Sequence, residues 1–195
     1  MPTPPRTSLE AIVNAGRRLL ESEGLESLTM QRVALTVGVR APSLYKHVRD
    51  RGELIRLIGN DAIQELGRSL DAAASSGDPR QSLRAMAVAH RAFARAYPQA
   101  YRLLFARLPE SWQVDAALAE RASEPIIRTI ERLSGGEQTL EAARTVVAWA
   151  HGFAAMELAG AFRLGGDVDK AFAFGLDRLL VAVTGRPISE ARGRA

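Results

Sequence analysis

Apolar residues recur every three or four positions along the chain, and no segment alternates strictly as a half-buried strand would. Leu9, Ile12, Val13, Gly16, Leu19 and Leu20 line one face of a first helix, opened by Thr7 with Glu10 three residues on, and Gly24 closes it. A second start follows at Thr29; Met30, Val33, Ala34 and Val37 face inward and Gly38 ends the element. The third helix carries Pro42 in its first turn, where a missing N–H costs nothing, and runs to about His47. Asp50, with Glu53 three residues on, caps a fourth helix over about 51–74, with Leu54, Leu57, Ile58, Ala62, Leu66 and Leu70 as its apolar face. Beyond a loop at 75–78, Pro79 restarts a helix that Pro98 closes, and a short helix covers about 98–107. A turn at 108–112 leads into a helix that reaches about Leu133 and is bent at Pro125. The eighth helix runs from about Gln138 to Leu164, where Gly165-Gly166 ends it, and Asp167 starts a ninth that reaches about Thr184. The expected fold is therefore all-α with nine helices. Three short ones form a helix-turn-helix unit over 1–55, a helical bundle occupies 56–187, and a polar, frayed tail covers 188–195.

Composition narrows this picture. The chain has 195 residues, 47% of them hydrophobic and 25% charged, ordinary values for a soluble globular protein and wrong for a disordered or fibrous one. The absence of cysteine excludes disulfides, thiolate metal sites and thiol nucleophiles. The start Met1-Pro2-Thr3-Pro4-Pro5-Arg6 has no apolar run behind its charge and does not read as a secretory signal. The longest apolar stretch, 146–162, holds His151 and Glu157 in its middle and reads as a buried helix rather than a membrane span. The expected location is the cytoplasm. Of the net charge of +4, most sits early: residues 1–57 carry nine basic and six acidic side chains. A local basic excess is what a phosphate backbone attracts, although a solvated arginine-rich surface explains the charge equally well.

Residues 29–47 add the missing geometry. A capped short helix, a glycine-opened turn and a second short helix have helix-turn-helix spacing. Leu44 and Val48 anchor the second helix inward, which leaves Ala41, Ser43, Tyr45, Lys46 and His47 for its outer face or rim. Such a projecting end fits a major groove about 12 Å wide. A plain helical hairpin would explain Leu44 and Val48 but not an outward Tyr45-Lys46-His47 cluster in the basic third of the chain.

The segments Leu28-Thr29-Met30-Gln31-Arg32-Val33-Ala34, Gly38-Val39, Pro42-Ser43-Leu44-Tyr45-Lys46-His47-Val48 and Arg51-Gly52-Glu53-Leu54 together resemble the DNA-binding segment of the TetR family of bacterial repressors. The resemblance implies that Thr29, Tyr45 and Lys46 touch phosphates or groove edges, and that Arg51 stands where the family usually has a phosphate-binding lysine. With Arg40, Ala41, Pro42, Ser43 and His47 these make the expected DNA surface. Arg40 replaces a frequent capping Ser or Thr, Val48 a common Phe, and Ala41 offers no polar group to a base. Further on, Tyr97-Pro98-Gln99-Ala100-Tyr101-Arg102-Leu103-Leu104-Phe105 and Trp149-Ala150-His151-Gly152 resemble a TetR subgroup whose regulatory domain carries a Trp-His-Gly signature. That likeness implies a homodimer built by the last two helices and an effector site in each regulatory domain.

The residues themselves offer material for both. The eighth helix is apolar on nearly all sides, so it needs more than one buried neighbour. Phe162, Phe172, Leu176, Leu179, Leu180 and Val183 are the expected dimer interface, with a core-only role as the alternative. The expected effector lining is His90, Phe93, Tyr97, Tyr101, Phe105, Trp112, Trp149, Phe153, Met156 and Glu157, a mostly apolar set with few polar groups. His90 and Glu157 lie on apolar faces and need partners. They satisfy each other or a backbone group, or they fix the polar end of an elongated or amphipathic ligand. No phosphate loop, nucleophile elbow or paired-carboxylate motif is present, and no spacing requires a metal at His90, His151 and Glu157. The expected protein is a dimeric repressor, not an enzyme, without metal or cofactor. Its partners are an operator duplex and a small apolar or amphipathic effector. The alternatives are an effector-independent or non-specific DNA binder and a metal-dependent helical enzyme.

Overall fold

A computed structural model of the chain describes residues 7–75, 77–136 and 138–184. Among them are nine α-helices, two short 3₁₀ turns and no strand. They are α1 (Leu9–Glu23), α2 (Met30–Val37), α3 (Ala41–Leu44), α4 (Arg51–Ala73), α5 (Pro79–Ala96), α6 (Pro98–Phe105), α7 (Ala116–Ser134), α8 (Thr139–Leu158) and α9 (Val168–Thr184). The chain divides into two compact units. The first joins the residues up to Gly67 with Ala96–Ala122, and the second joins Arg68–Arg95 with the residues from Ser123 on. These boundaries fall inside α4, α5 and α7. The tail expected at 188–195 lies outside the described residues.

The first unit begins with α1, whose cap is Ser8 rather than Thr7: the Ser8 hydroxyl accepts the Ala11 N–H at 3.1 Å. Thr29 caps α2 by accepting the Arg32 N–H, and Gly38 ends it in a left-handed conformation, φ 78°. The third helix is one turn only; Tyr45, Lys46 and His47 follow it in a turn whose amides at 47 and 48 return to the Leu44 carbonyl. Asp50 accepts the Glu53 N–H at 2.8 Å, while the Glu53 carboxylate reaches back to the Arg49 N–H, one residue beyond the usual capping box. Ile12, Leu20, Leu28, Leu44, Leu54, Ile55 and Ile58 are fully buried and hold these helices together.

A second layer of this unit comes from distant sequence. The N-terminus of α6 is capped by Glu21 on α1, which accepts the N–H groups of Gln99 and Ala100 at 3.1 and 2.8 Å. Residues 112–122 then lie along α4 where it lacks side chains. A Cβ on Gly52 would collide with the Trp112 indole, one on Gly59 would lie 3.0 Å from Val114, and one on Gly67 would lie 3.1 Å from Ala122.

In the second unit Leu83, Met86, Ala87 and Phe93 of α5, Ile126 and Ile130 of α7, Val146, Ala150 and Ala154 of α8, and Phe172, Leu176 and Leu180 of α9 form the core. Helix α7 passes Pro125 without interruption, and the Pro125 carbonyl accepts the Thr129 hydroxyl at 2.7 Å. Helix α8 ends at Leu158, six residues before the expected stop. Gly160 takes φ 62°, its N–H returns to the Glu157 carbonyl and that of Ala161 to Met156, a Schellman closure. Ala161, Phe162 and Leu164 continue the apolar pattern past this stop and mask it.

Candidate nucleic-acid and effector sites

The α2–α3 hairpin presents a basic edge. Leu44 and Val48 are buried at its base, and Arg40, Pro42, Tyr45, Lys46, His47 and Arg49 stand in solvent, with Ala41 and Ser43 half-buried. Thr29 is exposed while its hydroxyl is engaged in the cap. Arg32, one turn away, is paired with Glu23. Asp50 is the acid beside this edge; it bonds Arg49 at 3.1 Å, and the Glu53 N–H holds its carboxyl below the ordinary value, with Arg49 adding to the effect. Sequence reasoning did not name Arg49, whose outward place follows from the turn rather than from a helix.

Arg51 is placed differently from the other basic residues. Its Nε donates to the Leu28 carbonyl at 2.6 Å and its Nη2 to the Leu25 carbonyl at 2.7 Å. The guanidinium also lies 5.5 Å from the Trp112 ring. Trp112, expected in the effector lining, is thus part of the unit that holds the hairpin.

The rest of the expected lining is divided between the units. Tyr97, Tyr101 and Phe105 belong with Trp112 to the first. Tyr97 lies 4.5 Å under the Arg17 guanidinium, and Tyr101 packs at 5.0 Å on Phe105. Burial pushes the Tyr101 hydroxyl up. His90, Phe93, Trp149, Phe153, Met156 and Glu157 belong to the second.

Within the second unit a cavity of about 20 Å³ is lined, of that set, by His90. Its other walls are Leu70, Leu83, Met86, Ala87, Ile126, Val146, Val147 and Ala150. This is room for roughly one water molecule, so an organic ligand in this cavity requires its walls to move. Burial pushes the His90 imidazole down to about 4, and the nearby His151 acts in the same direction.

Trp149, Phe153, Phe162 and Phe172 form an aromatic cluster with centroid separations of 4.8–5.7 Å. The Arg91 guanidinium sits 4.5 Å from Phe172 and 5.3 Å from Phe153. Arg91 also grips Glu157 with two bonds of 2.8 and 2.6 Å. Arg95 and Asp169 complete the network. The bonds from Arg91 hold the Glu157 carboxyl below its ordinary value against burial, and Arg95 adds to them. Glu157 therefore meets arginines rather than His90. A single acid in the long apolar stretch was the available signal, and Arg91 and Arg95, four apart on α5, were the matching bases. Among the described residues no three His, Asp or Glu side chains converge as a metal site.

The expected dimer residues also separate. Phe172, Leu176 and Leu180 are buried within their own unit, Leu179 and Val183 are half-buried, and Phe162 is exposed beside Phe153. The large apolar side chains of α9 that face solvent are Phe174 and Val181, 65% and 62% exposed, with Met156 of α8 at 50%. Both faces of α9 are thus apolar, and periodicity alone does not separate them.

Comparison with known proteins matches two family models. The model described as bacterial regulatory proteins, tetR family, covers residues 12–58, and the tetracyclin repressor-like C-terminal domain covers 83–179. An HTH-type transcriptional regulator of Mycobacterium tuberculosis, itself uncharacterised, is 29% identical over 160 residues, 80% of this chain and 73% of that one. The HTH-type transcriptional repressor DrrR1 of Streptomyces coeruleorubidus is 35% identical over 96 residues, 48% of this chain but only 34% of that protein. Among solved structures, a TetR variant of Acinetobacter baumannii in complex with minocycline superposes with a TM-score of 0.67 at 22% identity, covering 90% of this chain and 96% of that one. No helix among the described residues is long and apolar enough to cross a membrane.

Proposed function

Because this chain belongs to the TetR family of transcriptional regulators, we propose that it is a cytoplasmic repressor, without enzymatic activity, that binds a near-palindromic operator as a homodimer and leaves it when a small molecule enters the C-terminal unit. We also place it in the subgroup whose regulatory domain carries a Trp-His-Gly signature, on Trp149, His151 and Gly152. The observation that carries the DNA reading is the hairpin edge: Arg40, Lys46 and Arg49 exposed around a one-turn helix anchored by Leu44 and Val48. Lys46 and Arg49 supply phosphate contacts, and Ser43 and Tyr45 supply groove contacts. One such helix reads few bases, so a two-fold dimer with reading heads about 34–36 Å apart, or a multiple of it, supplies the remaining specificity. The outward apolar residues Met156, Phe174 and Val181 supply the dimer face, with Leu179 and Val183 at its edge.

The effector that suits the His90 cavity is a compact, neutral and apolar molecule with one polar atom for the imidazole, rather than the elongated amphiphile expected from the aromatic set. The second reading is DNA binding without any effector. Selection of duplexes from random sequence tests the first half. Enriched sites with dyad symmetry are expected, and footprints without symmetry overturn the dimer reading. Phe174→Glu should give a monomer by light scattering and lose operator binding; an unchanged dimer moves the interface elsewhere. Failure of every small apolar compound to release the selected duplex favours the effector-independent reading.

A further inference from the structure

The fork of Arg51 is already filled. Two of its nitrogens donate, at 2.6 and 2.7 Å, to the carbonyls of Leu28 and Leu25. Leu28 precedes the Thr29 cap of α2, and Leu25 opens the 3₁₀ turn that joins α1 to α2. These contacts span 23 and 26 residues of sequence, so they tie the first turn of α4 to the entry of the supporting helix. A guanidinium can satisfy two separated carbonyls at once because its donors are fixed in a plane; an ammonium offers no such fork.

Trp112 covers the same guanidinium, and its position is built rather than incidental. The indole occupies the space that Gly52 leaves by having no Cβ. The 3₁₀ turn Glu110–Trp112 presents it, closed by the Trp112 N–H on the Pro109 carbonyl at 2.9 Å. Three residues later Asp115 fastens the same segment to α4. It accepts from Arg56 at 2.7 Å and from the Asn60 amide at 2.8 Å, and its own N–H donates to the Asn60 oxygen at 2.9 Å. The segment between α6 and α7 is thus buttoned to α4 at two points, and the first of them is the residue that holds α2.

We propose that Arg51 and Trp112 are positioning residues that clamp the entry of α2 to α4, and that Arg51 is not the phosphate ligand its alignment with the family's lysine implies. The inference rests on the DNA-binding reading, because positioning matters only if the hairpin enters a groove. Its basis is that carbonyl bonds already occupy two of the guanidinium's nitrogens and an indole covers its face.

The test uses the full-length protein and a duplex selected from random sequence by the wild type. Affinity is measured against salt concentration for Arg51→Ala, Arg51→Lys, Trp112→Leu and, as a phosphate control, Lys46→Ala. The clamp predicts that Arg51→Ala, Arg51→Lys and Trp112→Leu each lose about tenfold or more in affinity with the wild-type salt slope retained. Lys46→Ala should lower the slope by about 0.9. Amide hydrogen exchange in free protein supplies the second readout: residues 29–34 should exchange faster in Arg51→Lys and Trp112→Leu, with the second unit's core unchanged. Full affinity in Arg51→Lys, or a slope lowered by about 0.9 in Arg51→Ala alone, overturns the clamp and restores the phosphate role. Failure of the wild type to enrich any duplex overturns the DNA reading instead, and the exchange measurement on free protein still decides the clamp.

Discussion

His90 makes the stability of the second unit depend on pH in a way that can be separated from every other group. It is 6% exposed on α5, against a cavity whose other walls are all apolar, and its imidazole is pushed down to about 4 by burial, with His151 assisting. Above pH 6.5 neither the folded nor the unfolded chain carries this proton, so stability does not vary through it. Below 6.5 the unfolded chain binds the proton and the folded one does not, so each further pH unit costs about 1.4 kcal/mol. The loss reaches about 3 kcal/mol near pH 4, below which the folded state also protonates and the slope vanishes. Between pH 6.5 and 5 the share of His90 is about 2 kcal/mol. The carboxylates of Glu157, Asp169 and Asp115 are held below their ordinary values and weaken the fold only at lower pH. His151, also lowered by burial, acts in the same window and is removed by comparison with a variant. Urea unfolding of wild type and His90→Gln at pH 7 and pH 5, at one protomer concentration, should show a drop about 2 kcal/mol smaller in the variant. With only three histidines in the chain, the ring resonances can also be titrated directly. Equal drops in the two proteins, or an acid-side midpoint for His90 above about 6, would refute the reasoning.

Arg91→Ala removes the buried partner of Glu157, whose side chain is only 16% exposed, and its contact with Phe172, leaving the carboxylate to the exposed Arg95, and should cost about 2 kcal/mol by urea unfolding. Arg95→Ala, removing a cation that is 48% exposed, should cost less than about 1 kcal/mol, and equal losses would show that Arg91 is not the anchor. Gly38→Ala should cost about 1 kcal/mol, entirely from strain at φ 78°, since a Cβ there meets nothing within 4 Å. An unaltered melting temperature would mean that the turn relaxes without consequence.

Much of the architecture follows from residues that act within one helical turn of themselves. Thr29, Asp50 and Asp167 cap their helices, and Gly38 ends α2, because a short oxygen-bearing side chain or a missing Cβ satisfies amides and angles a few residues away. The nine helices and the hairpin between Thr29 and Val48 were legible for the same reason. Where two local signals competed, the reading slipped: Ser8 rather than Thr7 caps α1, and Gly160 stops α8 inside an apolar stretch that continues to Phe162. What required the tertiary structure was the choice of partner. Arg51 finds carbonyls 23 and 26 residues back, Glu157 finds arginines 62 and 66 residues back, and no spacing rule reaches that far. Trp112 reads as an aromatic like any other until Gly52 is placed beneath it. The inward face of α9 is likewise undetermined while Phe172 and Phe174 are equally apolar, because hydrophobic burial is non-directional and only packing against α5 and α8 decides which of them leaves water.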